Sequence, residues 1–387
     1  MKISILRWAL LLAALFLAVA SLLTAIKPPV RMNWQLRMIA GIVEGEFGLG
    51  LAIVPVLVGG FAWFVRRGHL GIYNCTIGFS AIALMLLLKP TVQAWRLGRV
   101  LPAQLAAAFG PATCDHAAFS LGAMLANVPQ QVTIKTLEYA DSLKLDFYPA
   151  IGKSSAPCIV AIHGGAWRGG DRKESKAIQE SNSRLAAHGY AVASIDYRLA
   201  PKFIWPAQRD DVLSAIAYLR EHAQSLGIDP SRFVLLGRSA GGQLAEVVGY
   251  ASHDPGIRGV IAIYAPADLA SSWQTTSPSD SFMQRQILEQ FLGGAPDAVR
   301  AAYDSASGVL WVGPGSPPTL LMHGELDTIV PADQSQLMAE KLSAAGVPHA
   351  LIAIPWGTHG FDYASNNSPG GQITRFAIEW FLQRVTR

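Results

Sequence analysis

With 387 residues, 51% of them hydrophobic and 15% charged, the chain is long enough for one large domain or two ordinary ones. It is too apolar for a disordered or collagen-like protein and carries no basic nucleic-acid tail. The formal charge of +4 is uneven, since residues 1–110 hold ten basic and two acidic side chains and the remainder 21 and 25, which points to two environments.

Three early runs lack Asp, Glu, Lys and Arg: Trp8 to Ile26, Phe47 to Val65 and His69 to Leu88, each of 19 or 20 residues. At about 1.5 Å rise per residue, each helix matches the roughly 30 Å hydrocarbon layer of a bilayer. Flanked by Lys27, Arg31, Arg37, Arg66, Arg67 and Lys89, they predict a membrane domain of three transmembrane helices over residues 1–100. Ala18-Val19-Ala20 resembles a signal-peptide cleavage site, but the apolar run continues to Ile26, which favours an uncleaved helix. Three spans place Lys2, Arg7, Arg66 and Arg67 on one side and Lys27, Arg31, Arg37, Lys89, Arg96 and Arg99 on the other. That count leans toward a cytoplasmic second half while the signal-like start argues the reverse, so the side is left open.

Residues 101–131, Ala-rich and interrupted by Pro102, Gly110 and Pro111, read as a linker with one or two helices lying at the interface or covering the next domain. Val132 to Ala140 and Leu143 to Pro149 predict an antiparallel hairpin. Cys158 to Ile162, Ala191 to Ile195, Phe233 to Leu236, Val260 to Tyr264, Thr319 to Met322 and Ala350 to Ile354 are short and nearly all apolar, as in strands buried on both faces. Helical segments separate them, so residues 132–387 predict an α/β domain with a mostly parallel eight-stranded sheet and a site at the carboxyl ends of the strands. Cys75, Cys114 and Cys158 have neither metal-ligand spacing nor disulfide-scaffold density and read as free thiols.

Gly237-Arg238-Ser239-Ala240-Gly241 follows one strand and opens a helix, the setting of a nucleophile elbow. His163-Gly164-Gly165-Ala166-Trp167 follows another, and its small residues let backbone N–H groups reach a substrate oxygen. The N–H groups of Gly164, Gly165, Ala166 and Ala240 are therefore the candidate oxyanion hole, with His163 bracing the loop. A serine nucleophile needs a base and the base an orienter. His359 and Asp327 lie in the loops after the last two strands, at the same sheet edge as Ser239. His349 precedes its strand and falls at the opposite edge, and Glu325 sits two residues closer to its strand. Asp196, in Asp196-Tyr197-Arg198-Leu199-Ala200-Pro201, reads as a loop brace. The long insertion Ala267 to Ser307 carries Trp273, Phe282, Phe291 and Tyr303, which either line an apolar pocket or pack the insertion's own core.

HGGAW, DYRLAP, GRSAGG, HGELD and GTHGF, in that order, resemble the hormone-sensitive-lipase-like branch of the α/β-hydrolases, closest to bacterial acetyl esterases and feruloyl-esterase-like and kynurenine-formamidase-like enzymes. The resemblance covers about Val132 to Arg387. It implies Ser239 as nucleophile, Asp327 and His359 as its partners, and a carboxylic-ester hydrolase with no cofactor or metal. Two residues depart from the pattern: Ala166 replaces a common third Gly, and Arg238 stands where many relatives have Asp, a change that would bear on substrate charge. The expectation is a serine esterase in a bacterial cell membrane, with a small-molecule ester and the lipid bilayer as partners. An acyltransferase or amidase using the same residues, or a binding protein on the same fold, is the alternative. Because residues 1–100 are expected to supply no catalytic group, a chain starting near Ala117 should be soluble and active.

Overall fold

The computed structural model describes residues 2–29, 31–66, 70–126 and 132–387. Arg67 and His69 at the head of the third apolar run, and residues 127–131 of the predicted linker, lie outside them.

The apolar runs form helices. α1 spans Lys2–Ala20 and continues through a 3₁₀ turn to Thr24. α2 (Trp34–Leu51) and α3 (Ile53–Val65) are bent by 51° at the break between them. The Asn33 side chain starts α2 by accepting from the N–H groups of Gln35 and Leu36. α4 runs from Leu70 to Phe109, 40 residues, about twice the length a bilayer needs. Among the described residues two helices are long and apolar enough to cross a membrane, or up to three spans if the bent pair α2 and α3 counts as one. α1 and α3 pack on α4, and a Cβ on Gly48 would lie 2.4 Å from the Leu87 carbonyl oxygen, so glycine is what lets α2 approach α4.

Helix α4 passes Pro102 without breaking and ends at Gly110, whose φ of +88° turns the chain out of the helix. Packing offsets the missing proline N–H, because Leu101 and Leu105 on either side are fully buried against the second half of the chain. The terminal carbonyls of α4 find partners on the C-terminal helix Pro369–Val385: Arg384 Nε donates to Phe109 O at 2.9 Å and Trp380 Nε1 to Gly110 O at 3.2 Å.

The strands are β1 (Lys135–Ala140), β2 (Leu143–Tyr148), β3 (Ala156–Ile162), β4 (Ala191–Ile195), β5 (Ile228–Arg238), β6 (Ile257–Ile263), β7 (Thr319–Gly324) and β8 (His349–Ile354). They form one sheet in the order β1-β2-β4-β3-β5-β6-β7-β8, with β1–β2 and β2–β4 antiparallel and all later pairs parallel. Side chains alternate between two cores: Phe233 and Leu235 of β5 join one cluster, Val234 and Leu236 the other. The chain leaves β3 for β4 on one side and then crosses to β5 on the other. That reversal opens a crevice beyond the carboxyl ends of β3 and β5, where the loops carrying Gly164 and Ser239 meet.

Candidate active site

Ser239 sits between β5 and the helix Ala240–Ala251 at φ 54°, ψ −121°, a strained conformation that lifts its side chain off the sheet edge. Its flanking glycines are demanded by contact. A Cβ on Gly237 would lie 2.0 Å from Gly241 O, and one on Gly241 2.1 Å from Ile162 O.

Ser239 Oγ is 3.0 Å from His359 Nε2, and His359 Nδ1 is 2.7 Å from Asp327 Oδ2. The other carboxylate oxygen of Asp327 accepts from the N–H groups of Ile329 and Val330 at 2.8 and 3.0 Å. Burial by itself would raise the Asp327 pKa, but the charge of His359 and hydrogen bonds from His323 and His359 hold it well below the usual carboxylate range. Asp327 is thus a fixed anion that orients His359 through Nδ1, with Nε2 of the same ring facing the serine hydroxyl. Glu325 is exposed, and His349 begins β8 at the opposite edge.

The loop after β3 lies beside the serine. Gly165, Ala166 and Trp167 all have positive φ, at 115°, 53° and 58°. Ala166 therefore keeps the left-handed backbone that its Gly counterpart would adopt more easily, a strain of about 1–2 kcal/mol. The turn is fixed from inside by the N–H groups of Arg168 and Gly169 donating to Gly165 O. Outside it, Trp167 Nε1 donates to Gln243 Oε1 at 2.9 Å and the indole stacks on Phe291 at 4.3 Å. Among the described residues, the N–H groups of Gly164, Gly165, Ala166 and Ala240 have no protein acceptor, which leaves them available to an anionic oxygen. His163 is buried and stacked on Tyr197, and burial lowers its pKa, so it braces the loop as a neutral ring. Asp196 braces in the same way, accepting from the backbone and guanidinium of Arg172.

Arg238 lines the cavity, but its charge is already paired within the protein. Its guanidinium is buried and its Nε donates to Asp362 Oδ2 at 2.7 Å. Tyr264 donates to the other oxygen of Asp362 at 2.7 Å and lays its ring 4.6 Å from His359. Arg238, Asp362 and Tyr264 form a scaffold under the serine and histidine. Sequence reasoning missed Asp362 and Tyr264, whose only mark is their position just past strand or loop ends.

The cavity above Ser239 and His359 measures 740 Å³. Of the four insertion aromatics only Phe282 lines it; Phe291 and Tyr303 are buried in the core, and Trp273 is held by Glu289 through its indole N–H. The opposite wall comes from Trp34, Met38 and Ile42 of α2. These were not among the expected site residues, although their four-residue spacing was a readable signal. The ring of Trp34 meets Phe282 edge-on at 5.2 Å, and Arg37 pairs with Asp280 at 3.3 Å. Farther along α2, buried Glu46 accepts from Trp356 Nε1 at 2.9 Å and from the Gly370 N–H at 2.7 Å.

The BD-FAE family model matches residues 145–342, just over half the chain. The chain belongs to the BD-FAE family. Among curated proteins, this BD-FAE chain is similar to esterase LipC of Mycobacterium tuberculosis, at 32% identity over 60% of this chain and 59% of that one. Carboxylesterase NlhH of the same organism is 29% identical over 56% of this chain and 69% of its own. The chain thus spans about three fifths of the length of LipC. A truncated carbohydrate esterase from gut microbiota matches with a TM-score of 0.55 at 27% identity, covering 65% of this chain and 98% of its own. A bacterial heroin esterase gives 0.56 at 26% identity, covering 69% and 89%. The α/β-hydrolase esterase fold follows from these likenesses and the sheet order together.

Proposed function

We propose that the chain is a membrane-anchored serine carboxylesterase hydrolysing short- to medium-chain acyl esters through an acyl-enzyme. The observation that carries this reading is the hydrogen-bonded line from Ser239 through His359 to buried Asp327, next to N–H groups without protein acceptors. Ser239 Oγ attacks the ester carbonyl carbon while its proton passes to His359 Nε2. The imidazolium that forms is held by Asp327, and the negative oxygen lies among the N–H groups of Gly164, Gly165, Ala166 and Ala240. The alcohol leaves with the proton from His359, and water activated by the same ring then releases the acid and restores the serine. A fluorophosphonate should label the wild type and not Ser239→Ala. Labelling that persists in the variant would reject Ser239 as the nucleophile.

Anchoring is supported by α1 and α4, each long and apolar enough to cross a bilayer. In this reading residues 1–100 anchor, residues 101–131 connect and cover, and residues 132–387 catalyse, with α4 shared between the first two. Carbonate washing should leave the protein in the membrane pellet, and only detergent should release it. Release by carbonate would reduce these helices to buried elements of a soluble protein. With three spans the termini lie on opposite sides, so reporters fused to the two ends should give opposite signals.

A further inference from the structure

Two faces of α2 look in opposite directions. Trp34, Met38 and Ile42, spaced by four, form a wall of the active-site cavity. Leu36, Ile39, Val43 and Phe47, spaced by three and four on the far side, are 58, 55, 38 and 44% exposed. Four exposed apolar side chains on one face, next to helices apolar enough to cross a bilayer, fit a face laid against the headgroup and acyl boundary, while the other face packs on protein. The neighbours fit that placement: α2 continues into the apolar α3, and Lys27 and Arg31 precede it. In that placement one helix, about 10 Å thick, would separate lipid from the cavity that holds Ser239.

The helix is fixed there. Arg37 pairs with Asp280, Ser281 Oγ donates to Met32 O at 2.6 Å, and Glu46 ties α2 to Trp356 and Gly370. The cavity side offers an acyl chain apolar contacts and little charge. Of its two arginines, Arg238 is paired with Asp362 and Arg168 Nη1 donates to Gln290 at 2.9 Å.

From this arrangement we infer that the substrate is the acyl ester of a bilayer-resident amphiphile, drawn from the lipid in which α2 lies, its acyl chain bound against Trp34, Met38, Ile42 and Phe282. The inference rests on the esterase reading above and names its substrate class. The acyl group passes to Ser239 as the alcohol leaves with a proton, and water then returns a fatty acid. Each buried methylene favours the bilayer by about 0.8 kcal/mol, so an ester of ten or more carbons is already concentrated at α2.

The test uses the full chain in phosphatidylcholine vesicles, with p-nitrophenyl dodecanoate in the bilayer and p-nitrophenyl acetate in water. The dodecanoate rate should follow its mole fraction in the bilayer and not its bulk concentration. Met38→Trp, which fills the cavity, should lower the dodecanoate-to-acetate ratio of kcat/KM at least tenfold. Trp34→Ala, which opens it, should shift preference toward longer chains, and fluorophosphonate labelling counts the folded enzyme in each case. A rate that follows bulk ester, or ratios within twofold of wild type in both variants, overturns the inference and leaves the esterase reading standing. No turnover of either ester and no labelling of the wild type would reject the esterase reading and this inference with it.

Discussion

The hydrolase sheet and the N-terminal helices are both rich in apolar side chains and dispose of that surface in opposite ways. β3, β4 and β6 hide nearly every side chain in two protein cores, whereas α1 and α3 leave Phe16 71% and Phe64 82% exposed. Length separates the two cases, because a strand of five to seven residues has its partners in the same sheet, whereas α1 is long and apolar enough to cross a bilayer. α2 shares both characters, one face lining the cavity and the other leaving apolar side chains exposed, and there the site acquires a wall that no strand supplies.

The strongest break in this comparison would be a reaction centre away from the sheet edge. Ser239→Ala and His359→Ala should each lower kcat by up to about 10⁶-fold, the double variant being little worse because the residues act as one unit. Asp327→Asn should lose on the order of 10⁴-fold, since it misorients the base without removing it. Near-normal ester turnover by purified Ser239→Ala would defeat the assignment.

Next in size is the join between the regions. The sequence alone led to a separable domain beginning near Ala117, but Ala94, Leu101 and Leu105 of α4 lie in the hydrolase core, where Phe109 meets Phe381 at 4.9 Å. Losing each such leucine costs about 2–5 kcal/mol. Deleting residues 1–109 should therefore abolish soluble expression or cooperative melting, and a fully soluble, active fragment would show that α4 is only an anchor.

How far this was legible differs by region for a physical reason. All eight strands and the positions of Ser239, Asp327 and His359 could be read from local pattern, since apolar runs and Gly-rich turns are properties of neighbouring residues. The docking of α2 could not. Arg37 and Glu46 look like solvated breaks in an apolar stretch, yet both are 2% exposed because Asp280, Trp356 and Gly370 reach them from more than 240 positions away. Arg238 misled in the same way, its partner Asp362 lying 124 residues on. A charge is legible as buried only when its partner is.

Glu46 offers a sharper cut than deletion. Glu46→Ala would strand the indole N–H of Trp356 and the N–H of Gly370 in a buried site, each costing about 1–3 kcal/mol. A melting temperature lowered by several degrees, together with faster proteolysis between α1 and α2, is expected. An unchanged melt would mean that α2 is held by lipid rather than by the hydrolase surface.

The smallest expected effect lies beneath the sheet edge, at Glu174. Burial pushes its carboxyl up to about 7 against the opposing charge of Arg238, with Asp362 and Asp171 adding to the rise. In the unfolded chain the group titrates near 4.3 or so. Between those values the folded state binds more protons than the unfolded state, so this group makes stability fall as pH rises from about 4.5 and level off above about 7. The size is a few kcal/mol at most, on the order of 1.4 per pH unit across the window. Glu174→Gln removes the titration while keeping the shape, so the difference in denaturation free energy between variant and wild type should grow with pH across that window and stay constant above it. A difference that is flat from pH 4.5 to 8 would mean that Glu174 is ionised in the folded state and is stabilised by Arg238 more than it is penalised by burial.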